Sequence, residues 1–360
     1  MRRPLLLLLA AVLAAAPLRA ADDTCDLKEA PRLVAIGDVH GAYKQFVAVL
    51  RLAQLVDNKE HWSGGRSTFV QTGDLLDRGS DTKQVLELMM RLEGEAKRAG
   101  GRVLALLGNH EAMNIVGDLR YVSGEEYKDY ATPRSNDRRE SEFRARAEKA
   151  RKAAKEQKQV FDEASFRQKF EQDVPLGFIE RYEAFSAEGR YGQWLRQRPA
   201  LVKVGGVAFL HGGLTPEVAA LGCQAINERV RRELGDDLAA TRQEPQSTLA
   251  AGENGPLWFR GMAREDETLW TPSLERVLAG IGARTIVVGH TPTKDGTIQT
   301  RFGGRVVMID AGMNPVFFGG HLAALEIGPD GKMTALYPDR REELGLAKAA
   351  ALSGAGRPDR

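Results

Sequence analysis

Residues 69–80, FVQTGDLLDRGS, take a short apolar run directly into two aspartates, an arginine and two glycines. The apolar start reads as a buried strand. Within a few residues the chain presents Asp74, Asp77 and Arg78 together. Glycine and aspartate favour turns, which accounts for a turn here but not for two carboxylates beside a guanidinium. The same pattern recurs along the chain. RLVAIGDVHG ends in Asp38 and His40, GRVLALLGNHE in Asn109, His110 and Glu111, LVKVGGVAFLHGG in His211, and ARTIVVGHT in His290. Two further apolar runs, RVVMIDAGM and LAALEIG, follow. Helical patterns follow the first two runs, from about Tyr43 to Leu55 and from about Thr82 to Ala99. Strands alternate with helices early and dominate late, which predicts an α/β fold built as a sandwich of sheets flanked by helices.

Sheets of this kind hold ligands beyond the carboxyl ends of their strands, so these polar groups should converge although they lie far apart in sequence. Carboxylate, imidazole and amide oxygen together suit manganese, iron or zinc, whereas calcium takes oxygen alone. The donors are too many for one structural zinc, and no cysteine is among them. Two metals roughly 3.5–4 Å apart, bridged by a carboxylate, would use them all, an arrangement typical of phosphate-ester hydrolases. Of the six histidines, His61 and His321 lie outside the pattern and read as structural or surface residues.

The 360-residue chain carries a formal net charge of only +2, which gives no argument for binding nucleic acid. Met1-Arg2-Arg3, an apolar stretch from Leu5 to Leu18 and small Ala20 have the layout of a secretory signal peptide over residues 1–20. Export to the periplasm or beyond is therefore expected. Pro17 disfavours cleavage after Ala16, and the DDT before Cys25 disfavours a lipoprotein anchor. No later stretch stays apolar for about 20 residues, so no stable membrane anchor is expected in the mature chain. The two cysteines, Cys25 and Cys223, could pair in an oxidising compartment, although sequence alone does not show that they are close. Between residues 118 and 199 charges crowd, as in RRESEFRARAEKARKAAKEQK, which reads as a helical insertion. Such a segment is either a solvated face or a cap over the site. Residues 339–360 read as a flexible tail.

GDVHG, GDLLDRG, GNHE, LHGG and GH, in that order, resemble the signature of the calcineurin-like metallophosphoesterase superfamily. GDLLDRG and GNHE resemble its PPP-type phosphoprotein phosphatases. HWSGGRSTFVQTGDLLDRG, with PLWFRG at 256–261, is similar to the bacterial Shewanella-like protein phosphatases. The resemblance implies one metallophosphoesterase domain over residues 21–338, and a dinuclear site of two divalent metal ions. Asp38 and His40 would hold one ion, Asp74 would bridge, and Asn109, His211 and His290 would complete the other. His110 would be the general acid oriented by Asp77, and Arg78 would clamp phosphate, with Arg260 as a second clamp. A hydroxide bridging the metals would attack phosphorus in line, without a covalent intermediate. The implied substrate is a phosphoprotein or phosphopeptide, tyrosine slightly ahead of serine or threonine. Two alternatives are hydrolysis of small phosphorylated molecules such as dinucleoside polyphosphates, and a binding module without turnover.

Overall fold

The computed structural model describes residues 25–345; the leader expected over 1–20 and the tail beyond 345 lie outside them. Among the described residues, twelve strands form two six-stranded sheets. The first sheet contains β2 (Leu33–Ile36), β3 (Thr68–Gln71), β4 (Arg102–Ala105), β10 (Ala324–Ile327), β11 (Met333–Leu336) and β12 (Arg341–Glu343), in the order β12-β11-β10-β2-β3-β4. The second contains β1 (Asp26–Leu27), β5 (Leu201–Val204), β6 (Val207–Leu210), β7 (Thr285–Val288), β8 (Gln299–Arg301) and β9 (Val306–Met308), in the order β1-β5-β6-β7-β9-β8. Strands β2, β3 and β4 run parallel, as do β6, β7 and β9.

Alternation along each strand explains why the sheets stack and why the strand sequences are apolar on both faces. Leu33, Ala35 and Val70 of the first sheet join Phe209, Val287 and Val307 of the second in one buried cluster between the sheets. Their neighbours Val34, Ile36 and Phe69 turn outward onto α1 (Tyr43–Leu52) and α2 (Thr82–Arg98), meeting Phe46, Leu50, Leu86 and Met89. Helix α1 stops three residues before the Leu55 that periodicity suggested. Gln54 adopts φ 53°, and the Leu55 amide donates back to the Leu50 carbonyl at 2.9 Å, which closes the helix and buries Leu55 beneath it.

After α3 (Asn109–Val116) the charged stretch folds into helices α4 (Ser135–Glu156), α5 (Glu163–Asp173), α6 (Phe178–Phe185) and α7 (Arg190–Arg196), entered through a tight turn at Glu126–Tyr130. Phe143, Ala147, Phe170 and Val174 form a small core of its own there. No helix among the described residues is long and apolar enough to cross a membrane. Of residues 339–360, read from sequence as a flexible tail, 339–345 are described, and part of these is ordered. Arg341–Glu343 adds to the first sheet as β12, paired antiparallel with β11, because an exposed edge takes up any extended chain regardless of its side chains.

Cys25 and Cys223 form a disulfide with Cα atoms 6.0 Å apart, tying the start of β1 to the helix Cys223–Glu233 across 198 residues of sequence. Closing so long a loop restricts the unfolded chain strongly. Replacing both cysteines by serine should therefore destabilise the protein by about 2–4 kcal/mol, read as a lower urea midpoint with a steeper slope as the unfolded chain expands.

Candidate active site

Parallel strands of both sheets aim their carboxyl ends at one region, and the loops there turn abruptly. Five residues of these turns have left-handed backbones without being glycine: His40 (φ 49°), Asp74 (58°), Asp77 (68°), Arg78 (68°) and His290 (65°). Such conformations are uncommon for residues with a Cβ and cluster where a side chain must be aimed despite the strain. Close backbone approach adds a further constraint. A Cβ on Gly73 would sit 2.5 Å from the Gly108 nitrogen, so the turn after β3 can press against the start of α3 only as glycine. Glu111 locks the two together: its carboxylate accepts from the amides of Gly108 (2.7 Å), Asp74 (2.8 Å) and Leu75 (2.9 Å). Burial and the neighbouring Asp74 push the Glu111 carboxyl up to about 7.

Asp74 is the centre of the arrangement. One of its oxygens lies 3.3 Å from His211 Nε2, 3.6 Å from His40 Nε2 and 3.8 Å from His110 Nε2. Two sets of possible metal ligands share it, His40 with Asp74 and His110, and Asp74 with His211 and His290. Asn109 Oδ1 meets His211 Nε2 at 2.9 Å, and Asp38 lies 3.8 Å from His40 and accepts the His290 amide at 3.0 Å. All six expected metal ligands are thus brought together and buried.

Backbone carbonyls set the tautomers. His40 Nδ1 faces the Leu76 carbonyl at 3.0 Å, His211 Nδ1 that of Thr72 at 2.9 Å, and His290 Nε2 that of Trp258 at 3.1 Å. Each of these nitrogens must donate, which leaves the opposite nitrogen as a lone pair. Burial keeps two of these imidazoles neutral: it lowers His40 to about 4 and, with His211 and Arg260 nearby, holds His290 well below the usual histidine range. Burial also raises Asp38 well above the carboxylate range, with Asp310 and Asp74 crowding it, and raises Asp310 to about 6. Asp74 goes the other way: despite burial, His211, His110 and His40 hold it well below. Crowded carboxylates and neutral imidazoles with inward lone pairs fit divalent cations, which would relieve the repulsion.

His110 differs from the other histidines. Its Nδ1 is bound to Asp77 Oδ2 at 2.6 Å. Burial opposes its charged form, but Asp74 and the Asp77 hydrogen bond outweigh that and raise its pKa. Arg78 lies among aromatic rings, with its guanidinium 5.0 Å from Tyr121, 5.1 Å from Phe318 and 5.7 Å from Phe317. Its buried Nε has no hydrogen-bond partner among the described residues. A half-buried guanidinium with a donor to spare is suited to an anion. Arg260 also reaches the site but is more committed. Its Nη1 donates to the His290 carbonyl at 2.6 Å and to Thr291 Oγ1 at 3.0 Å, and its Nη2 lies 3.5 Å from His290 Nδ1.

Sequence reasoning missed Asp310, which follows β9 and stands beside Asp38. The signal was present, since RVVMIDAG is another apolar run ending in aspartate before a small residue and glycine. It also missed the aromatic wall of Tyr121, Phe317 and Phe318 and the support of Asp77 by Asn114, whose Nδ2 donates to Asp77 Oδ1 at 2.9 Å.

Residues 31–294 match the family model described as calcineurin-like phosphoesterase. Shewanella-like protein phosphatase 2 of Arabidopsis thaliana is 31% identical over 83% of this chain and 75% of its own length. A crystal structure of a cold-active protein-tyrosine phosphatase from a psychrophilic Shewanella species superposes with TM-score 0.66 at 26% identity, covering 89% of this chain and 82% of that one. A symmetrical bis(5'-nucleosyl)-tetraphosphatase of Escherichia coli is 33% identical, but over only 27% of this chain and 30% of its own. The chain therefore belongs to the calcineurin-like phosphoesterase family, and the chemistry gathered at its strand ends is that of a metallophosphoesterase with Shewanella-like protein phosphatases among its relatives.

Proposed function

We propose that the protein hydrolyses phosphomonoesters of phosphoproteins or phosphopeptides, phosphotyrosine ahead of phosphoserine, after export from the cytoplasm. The observation that carries the tyrosine preference is the aromatic wall. Tyr121, Phe317 and Phe318 surround Arg78, Tyr121 also packs 5.1 Å from His110, and Val316 and Phe317 are exposed at the rim. A phenolic leaving group presented to His110 would be flanked by rings, and aromatic pairs of this kind contribute about 0.5–1.5 kcal/mol beyond the area they bury. The names of the relatives, a protein phosphatase and a protein-tyrosine phosphatase, support the same reading.

In this reading Asp38 and His40 would hold one divalent ion and Asn109, His211 and His290 the other, with Asp74 available to both sets. When bound, such ions supply Lewis acidity at phosphate oxygens and a water acidic enough to attack phosphorus near neutral pH. The chain's own residues do the rest. Arg78 draws in the phosphate and lies against the oxygens on which charge grows. His110 carries its proton on Nε2, because Nδ1–H is given to Asp77, and delivers it to the departing phenolate oxygen. Asp77 stabilises the charged ring before the transfer and fixes its orientation throughout. Arg260 steadies His290 through the main chain in this geometry, with Nη2 left to approach a bound phosphate.

Matched phosphotyrosine and phosphoserine peptides, offered with manganese beside a dinucleoside polyphosphate, test this. The phosphotyrosine peptide should turn over fastest, and Phe318→Ala should lower its kcat/KM roughly threefold to tenfold while barely changing the serine peptide. A clear preference for the nucleotide would reject the protein-phosphatase reading. Export rests on the leader-like N-terminus and accords with the Cys25–Cys223 bond. Its check is the intact mass of protein from the periplasmic fraction, which should begin at Ala21 and carry the oxidised pair.

A further inference from the structure

A chain of hydrogen bonds runs from the charged insertion to the centre of the site. Arg181, on α6, is one of the largest fully buried side chains in the molecule, at 1% exposure. Its Nε donates to Glu126 Oε1 at 2.6 Å, and Glu126 is itself 0% exposed. The guanidinium stacks on the Phe185 ring at 4.3 Å. Its Nη2 donates to Asn114 Oδ1 at 2.7 Å. Asn114 Nδ2 then donates to Asp77 Oδ1 at 2.9 Å, and Asp77 Oδ2 holds His110 Nδ1 at 2.6 Å.

The direction of each bond follows from chemistry. A guanidinium has donors and no acceptor, and an ionised carboxylate has acceptors and no donor. Placed between them, the Asn114 amide has one orientation that satisfies both ends: oxygen toward Arg181, NH2 toward Asp77. Without Arg181 that selection is weakened, and Asp77 loses the fixed partner that defines the plane of its carboxylate. Buried ion pairs are weak evidence of stability, and one that exists for stability has no need of a polar outlet to an active site. This pair has one, through Asn114.

We propose that Arg181 is a positioning residue: acting through Asn114 and Asp77, the insertion sets the orientation of His110 as proton donor to the leaving group. The proposal rests on the role given to His110 above. Its signature is selective loss, because a misaligned acid harms expulsion of a basic leaving oxygen far more than that of an acidic one.

The experiment compares phenyl phosphate, whose leaving group needs the proton, with p-nitrophenyl phosphate, whose leaving group needs it little. Arg181→Lys, which keeps the charge but loses the fork, is measured beside Arg181→Gln combined with Glu126→Gln, which strands no buried charge. Asn114→Ala provides a third variant that leaves the ion pair intact. Each should lose roughly tenfold or more in kcat on phenyl phosphate and less than about threefold on p-nitrophenyl phosphate, with KM within about twofold and bound metal unchanged. Equal losses on both substrates, or losses accompanied by missing metal, would overturn the proposal. His110→Ala in the same series separates the two levels. If it is selective and the Arg181 and Asn114 variants are not, the relay is wrong; if it too is unselective, the assignment of His110 falls and the relay with it.

Discussion

His110→Ala should lower kcat on a phosphotyrosine peptide by roughly 10²–10⁴-fold, the range a positioned general acid contributes. The structure says why the loss should lie in kcat. The His110 side chain is held by Asp77 at 2.6 Å with its Nε2 3.8 Å from Asp74, while the shorter link to that carboxylate is a backbone one, its amide donating to Asp74 Oδ1 at 2.9 Å. Alanine keeps that amide and the helical start of α3. It removes the proposed proton donor and leaves Arg78 with its donors for phosphate, so KM and bound metal should stay close to those of the parent. Steady-state kinetics with elemental analysis of the purified variant would check this. Retained turnover would remove His110 from the mechanism.

Asp74→Asn should be as damaging by a different route. Asn keeps the shape of the side chain but cancels the charge on the one group common to both ligand sets. Without that charge two dications would face each other across a neutral amide, so binding of at least one should fail and activity should fall about 10³-fold or more. Stability carries two opposite signs. In the metal-free parent, Asp74 raises the carboxyls of Asp38, Glu111 and Asp310 by repulsion, but its own carboxyl is held well below the usual range, so near neutral pH removing its charge relieves the first and loses the second and should change the stability of the apo-protein little. Added manganese should raise the melting temperature of the parent, by linkage worth about 2.7 kcal/mol at a hundred times the dissociation constant, and should do little for the variant. Melting curves with and without manganese, read beside metal stoichiometry, test both signs. A variant that still binds two ions and melts like the parent would show that Asp74 does not bridge.

The strand tips were legible because a parallel sheet buried on both faces writes a dense apolar run, and the abrupt change to glycine and a chemical residue marks where it ends. That rule found Asp38, Asp74, Asn109, His110, His211 and His290 one after another. It applied equally to Asp310, which escaped because a lone aspartate before alanine and glycine is also what an ordinary turn looks like. Arg181 was illegible for a different reason. The insertion is crowded with arginines, and nothing local distinguishes the one that α6 turns inward from those in water. Phe317 and Phe318 lie in a glycine-rich loop between β9 and β10, and only the crossing from one sheet to the other returns that loop to the site. The edge strand Arg341–Glu343 depends on a vacant neighbour, which composition does not record.

The left-handed backbones of His40, Asp74, Asp77, Arg78 and His290 imply a particular pattern of evolutionary escape. At each of these positions glycine would sit without strain, and relief of a left-handed conformation is worth on the order of 1 kcal/mol per site. A library selected for heat resistance alone should therefore enrich glycine at these five codons, and every such clone should be inactive. Selection for turnover must hold the same codons against that drift, so a relative with glycine at even one of them would mark a lineage that has kept the fold and given up the reaction.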